Sequence, residues 1–308
     1  MKNSILFGNG INNLSKNRIP WNDLLNKIKG ISNFDNGTLP NTFIYERAIF
    51  ENHSSNDIRE TEFKIKESIS ELLSTIETND FYRLLFELNC ENYLTTNYDY
   101  ALKNYILETE EYLIENHSTE DIYSIRRQTQ VFNKEQEEIC KIWNIHGEIS
   151  KPISIMLGLD HYCGSVSKLD AYVKGTYDFQ ENSKKINVKK MSDKLKQREF
   201  DNRSWSELIF NSNIHIIGLS LDFSETDIWW ILTKRARMIK DNKTSGLINN
   251  KIYFYDKNIK KDKEELLNSL NVEVIKSSKD YGDNWSEYYL DTINRIKEKI
   301  PAANTVYN

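Results

Sequence analysis

The sequence predicts an α/β fold: a parallel sheet with helices on both faces and an added helical layer. Six short runs rich in Ile, Val, Tyr or Phe are spread along the chain: SILF (4–7), NYLTT (92–96), KIWNI (141–145), IHIIG (214–218), KIYFY (251–255) and VEVI (272–275). Longer stretches with apolar residues at helical spacing lie between them, the alternation expected of strands joined by helical crossovers. Glycine or polar residues follow several runs directly, where an open parallel sheet binds its ligands.

The chain has 308 residues, enough to bury a large core, and is expected to form one domain over 1–308. A content of 39% hydrophobic and 12% aromatic residues with only four Pro argues against disorder. The net charge of −5 argues against a globally basic nucleic-acid binder, so affinity for a substrate must come from a site. Cys90, Cys140 and Cys163 are far apart, which excludes a four-thiolate zinc site within the chain and gives no disulfide framework. The first ten residues carry too short an apolar stretch for a secretory segment, and no later stretch nears the roughly 18 apolar residues of a membrane span. A soluble, cytoplasmic protein that does not engage a membrane is expected.

Taken in order, LFGNGIN (6–12) ends the first strand with Gly8 and Gly10. Such a turn either presents N–H groups to a pyrophosphate or simply joins strand to helix. The G-x-G-x-x-G pattern is incomplete, because Asn13 stands at the third glycine. NRIPWNDLL (17–25) follows, in which Pro20 fixes a turn and Trp21 starts a helical pattern; it reads as an anchored loop or as a flap over a ligand. Residues 40–88 lack a good strand, and 58–76 carry apolar residues at helical spacing, so helices are expected there. NYLTTNYDY (92–100) then sets Asn97 and Asp99 beyond a strand end. Either they face the ligand crevice, or Asn97 caps a helix starting at Tyr98 and Asp99 favours its first turn.

Residues 108–138 and 176–203 read as helical insertions, and the lysine-rich run in the second as a solvated face rather than a nucleic-acid contact. Between them IWNIHGEI (142–149) places His146 at a strand end, before Gly147. A lone histidine is often structural, but this one shares an edge with Gly8, Gly10 and Asn97, and imidazole exchanges protons near neutral pH. IIGLSLDFSETD (216–227) supplies Gly218 and Ser220 for a ribose or phosphate contact, or else is a plain turn in which Ser224 caps the helix over 224–240. FYDK (254–257) ends a strand with Asp256, which either accepts a ribose hydroxyl or caps the next helix.

Together and in this order these segments resemble the sirtuin-like NAD-binding family, with its Rossmann-like sheet. GNGIN looks like its Gly-Ala-Gly-Ile-Ser turn, RIPWNDLL like its Gly-Ile-Pro loop, TTNYD like its Thr-Gln-Asn-Ile-Asp segment, IHG like its catalytic His-Gly, and GLSL like its Gly-Thr-Ser-Leu. The cysteine count excludes the zinc module of the deacylases, and Trp21 and Asn22 stand where their arginine would be. The P-W-x-x-L-L pattern is instead similar to the sirtuin-like domains of bacterial antiphage systems, and some abortive-infection proteins share the GNG start and the SL helix entry.

The resemblance implies an NAD-degrading enzyme active in antiphage abortive infection, with NAD as substrate and no metal. It implies Asn97, His146 and Asp99 as catalytic residues, and Gly8, Gly10, Asn12, Pro20, Trp21, Gly218, Ser220 and Asp256 as the NAD-binding set. Asn97 would hold ribose hydroxyls or a water, Asp99 would orient Asn97 or stabilise positive charge, and His146 would take a proton. A homo-oligomer or a defence-system partner subunit would gate the activity. Two other readings stay open: a non-catalytic NAD or nucleotide sensor, and an ADP-ribosyltransferase or deacylase.

Overall fold

The computed structural model describes residues 2–300 except 31, 33, 54–56, 118–119, 121 and 278; the outer limits of the expected domain and parts of two expected insertions lie outside the described residues. In chain order the elements are β1 (Lys2–Phe7), α1 (Trp21–Lys29), α2 (Asn41–Asn52), α3 (Ile58–Leu73), α4 (Asp80–Phe86), β2 (Asn92–Thr95) and α5 (Ala101–Glu108). Then come β3 (Leu113–His117), β4 (Gln128–Phe132), β5 (Glu138–Asn144), α6 (Leu159–Lys174), β6 (Asp178–Glu181), β7 (Lys184–Asn187), α7 (Met191–Gln197) and α8 (Trp205–Asn211). The chain continues through β8 (Ser212–Ile217), α9 (Thr226–Lys240), β9 (Ile252–Asp256), α10 (Lys261–Ser269), β10 (Glu273–Lys276) and α11 (Trp285–Lys299).

Among the described residues eight strands form one sheet in the order β10-β9-β8-β1-β2-β5-β4-β3. The six expected strands are its parallel part, and β3 and β4 join antiparallel at one edge. The segment 108–138, expected as a helical insertion, is therefore largely an antiparallel extension of the sheet. In β4 the buried residues Thr129 and Val131 alternate with half-buried neighbours, a period of two that suits a strand. The segment 176–203 likewise holds the β6–β7 hairpin before the short α7.

Strand residues alternate between two cores. Ile5, Phe7, Tyr93, Ile142, Tyr253 and Tyr255 pack on one face beneath residues of α1 to α5 and α11. Leu6, Leu94, Trp143, Ile216 and Phe254 pack on the other, against α6 to α9. Such near-continuous apolar strands are what a sheet covered on both faces requires. Among the described residues no helix is long and apolar enough to cross a membrane.

The register places the site. Phe7 pairs with Thr95 on one side and Ile217 on the other, and Thr95 pairs with Asn144, so four parallel strands end in one row. From β1 the chain moves outward through β2 and β5, then returns to β8 on the opposite flank. The gap between β1 and β8 is the switch point at which such sheets leave a crevice.

Candidate functional site

A cavity of about 480 Å³ lies along this row, within the about 300–1,000 Å³ usual for cofactor-sized ligands. Gly10, Pro20, Trp21, Asn97, Asp99, His146, Gly218, Ser220 and Asp256 line it. Gly8 and Asn12 are not among its lining residues; they support it from behind.

The two glycines of the first turn are there because two backbones touch. The Gly8 N–H donates to the Ile217 carbonyl (3.2 Å) and the Gly10 N–H to the Gly218 carbonyl (2.8 Å). A Cβ on Gly10 would lie 2.7 Å from the Gly218 oxygen and collide with the Tyr289 hydroxyl; one on Gly8 would lie 2.8 Å from the Gly218 oxygen. Gly218 itself has φ +63°, a left-handed conformation that glycine adopts without penalty. These two N–H groups thus bond the first turn to the end of β8.

Behind the turn, Asn12 Nδ2 donates to Asp99 Oδ2 (2.7 Å) and to Asn9 Oδ1 (2.9 Å), while the Tyr82 hydroxyl donates to Asn12 Oδ1. Asp99 Oδ1 accepts from the Ala101 N–H (2.9 Å), closing a turn just before α5, whose N-cap is Tyr100 and which begins at Ala101 and not at Tyr98. Burial raises the Asp99 pKa against the hydrogen bonds that favour its charge. Asn97 is freed from capping. Its buried Nδ2 has no hydrogen-bond partner, and it also borders a void of about 10 Å³ shared with Thr95, Asp99, Lys103 and Asn144. Asn144 Oδ1 is unpartnered as well, and a void of that size holds about one water.

His146 is buried at the end of β5, with Tyr162 edge-on at 5.2 Å. Gly147, at φ +108°, makes that position possible, since a Cβ there would meet the Ser154 carbonyl and lie 2.8 Å from the Ile155 Cα. The His146 Nε2 faces Asp227 Oδ1 at 3.2 Å. Asp227, fully buried in the first turn of α9, also accepts from Ser165 Oγ (2.9 Å) and the Ile228 N–H (2.8 Å). Burial disfavours the imidazolium, yet the Asp227 charge and hydrogen bond, with Glu225 nearby, outweigh it and raise the His146 pKa. With Nε2–H donated to Asp227, the neutral ring keeps its lone pair on Nδ1.

At the end of β8, Ser224 does not cap α9. Its Oγ accepts from the Asn41 N–H (3.1 Å) and so serves α2, while α9 begins at Thr226. Glu225 lines the cavity, and burial, against the pull of His146, pushes its carboxyl up to about 7. Asp256 accepts from the Asn258 N–H (2.7 Å) in a local turn while lining the cavity. Trp285, Tyr288 and Tyr289 of α11 also line the cavity, with Lys257 4.2 Å over the Trp285 ring.

Sequence reasoning missed Asp227, Glu225 and this aromatic wall. The two acids of SETD were legible only as helix-dipole partners, and nothing in WSEYY marks a pocket. Among the described residues no group of three or more His, Cys, Asp or Glu side chains is placed to hold a metal. A family model described as SIR2-like domain matches residues 91–275, more than half of the chain, and covers every site residue from Asn97 to Asp256. No curated protein matches the chain.

Proposed function

The chain belongs to the SIR2-like domain family, an NAD-binding enzyme family, and from that premise we propose that it is an NAD glycohydrolase, releasing nicotinamide and ADP-ribose. The observation that carries the reading is the convergence in one cavity of Asn97 with a histidine held by a buried carboxylate. A module that only binds NAD has no need of a buried His–Asp pair.

In this reaction the bond from the anomeric carbon to the nicotinamide nitrogen breaks, and its electron pair neutralises the ring cation as it leaves. The ribose becomes oxocarbenium-like, and water adds to the anomeric carbon and gives up a proton. Asn97 positions a ribose hydroxyl, His146 Nδ1 takes the hydroxyl's proton as charge develops and returns it once water has added, and Asp227 stabilises the imidazolium in between. Asp256 and Ser220 hold the adenine-side ribose. Asp99 acts through Asn12, tying the first turn to the Asn97 segment. The biological role that fits is NAD depletion in antiphage abortive infection, gated by oligomerisation or by a partner.

Incubating the purified protein with NAD and identifying the products tests this, with a silent preparation repeated after recovery from phage-challenged cells. Free nicotinamide and ADP-ribose in equal amounts support hydrolysis. ADP-ribose attached to protein would support a transferase, and NAD retained intact under both conditions would support a sensor.

A further inference from the structure

We propose that Glu225 is a further catalytic residue of this cavity, the carboxylate that receives the proton of the attacking water. This rests on the NAD-cleaving reading and assigns within it a proton that His146, engaged at the ribose hydroxyl, does not take.

Glu225 comes from the turn between β8 and α9 and lines the cavity together with His146. Its Oε2 is closed off from solvent and has no hydrogen-bond partner. An unpartnered buried carboxylate oxygen is costly and calls for an explanation. The other acids at the site have work already. Asp99 binds Asn12 and Ala101, Asp222 binds Ser224, Asp227 binds His146 and Ser165, and Asp256 binds the Asn258 N–H. Each of these acids makes at least one hydrogen bond within the protein, whereas Glu225 lines the cavity with its Oε2 unpartnered.

Its surroundings favour proton exchange. It faces His146 from the end of β5, Asp222 and Asp227 from its own segment, Lys263 from α10, Tyr98 from the turn before α5 and Tyr162 from α6. Burial and the two aspartates favour the neutral acid, whereas His146 and Lys263 favour the carboxylate. The balance leaves both forms accessible near neutral pH, the condition for an efficient base. In the step itself the water oxygen bonds to the anomeric carbon, the water O–H pair stays on that oxygen, and the proton goes to Glu225 and then to solvent. The pair of the broken carbon–nitrogen bond leaves with nicotinamide.

The test compares wild type, Glu225→Gln and Glu225→Asp in NAD turnover, NAD affinity and pH dependence, with circular dichroism to check folding. Glu225→Gln is expected to lower kcat by about 10²-fold or more, leave the NAD dissociation constant within about threefold, and reduce the two-proton fall of kcat/KM on the acid side to the single ionisation of His146. Glu225→Asp should keep the two-proton fall at reduced rate. Turnover in Glu225→Gln near the wild-type rate, with the acid limb intact, would overturn the assignment while leaving NAD cleavage standing. Carboxyl ¹³C resonances read the contact independently of turnover. The signal lost in Glu225→Gln should move when NAD is added to wild type. If it does not move, the assignment fails; if it moves but wild type never cleaves NAD, the glycohydrolase reading fails with the proposed role, and only the ligand contact survives.

Discussion

Asp227→Asn keeps the size of a buried side chain and removes the charge that favours the His146 imidazolium. The expected outcome is a lower His146 pKa by NMR titration and about a hundredfold loss of turnover, with NAD affinity little changed. The raised folded pKa of His146 means that the pair stabilises the protein fully below the unfolded value of about 6.5 and loses this contribution as pH rises through the folded value. The stability cost of Asp227→Asn should accordingly be greatest at acidic pH in denaturant titrations. At an open strand end His146→Ala would cost little. The structure buries His146 against Tyr162 and Asp227, so alanine leaves a buried carboxylate without its partner and should cost about 3–5 kcal/mol. His146→Gln, which can still donate to Asp227, is the better probe of catalysis. Asn97 and His146 were legible because each stands directly after a strand. Asp227 was not, because 81 residues separate it from His146 and an acid in a helix's first turn already has a sufficient local reason.

Elements meet at this site through contacts that leave no room for side chains. Gly10→Ala would push a methyl group into the Gly218 carbonyl and the Tyr289 hydroxyl, so the ends of β1 and β8 must part. A loss of about 1–3 kcal/mol is expected, and Tyr289→Phe should restore only part of it because the Gly218 backbone remains in the way. Equilibrium unfolding of the two single variants and the double variant measures this. A second junction ties α3 to the turn before α6. His161 Nδ1 accepts from the Leu157 and Gly158 N–H groups at 2.9 Å each, while its Nε2 meets Glu62 Oε1. The His161 hydrogen bond, aided by Lys66 and against desolvation, holds Glu62 down to about 2. A depressed carboxyl stabilises above its unfolded value of about 4.3, and the contribution is lost as pH falls through the folded value. Glu62→Gln should therefore be less stable than wild type at pH 6 and differ little near pH 2. The parallel strands could be read from their β-branched and aromatic runs. β3 and β4 could not, since LIENH and QTQVF carry too many polar residues for two-residue alternation to stand out.

Across the whole molecule the electrostatics favour a site over a surface. Half of the basic residues of 184–203 are paired in place: Lys185 with Asp178, Lys189 with Glu199, Lys194 with Glu207 and Arg203 with Glu181. Affinity should then show as ligand-linked stability. NAD at a hundredfold excess over its dissociation constant is expected to add about 2.7 kcal/mol to unfolding, measured with the inactive His146→Gln variant so that ligand is not consumed. The alternation of strands and helices carried the fold class at this scale. The cavity's far wall was not visible, because α11 reaches the first turn only through the tertiary fold, and no local pattern records that docking.

The central position of β1 has a consequence for the protein's synthesis. Its two neighbours are β2 and β8, and the Ser4 and Ser212 hydroxyls that bond across the second pairing are 208 residues apart in the chain. At about 5–20 residues per second a ribosome needs roughly 10–40 s to add that length. Tyr289, which closes over Gly10, emerges later still. A nascent chain thus carries the Asn97 and His146 segments well before it has the walls that would hold a dinucleotide against them. The cavity is therefore complete only after β8 and α11 have been made, so the activity proposed for this protein would have to wait for the end of synthesis.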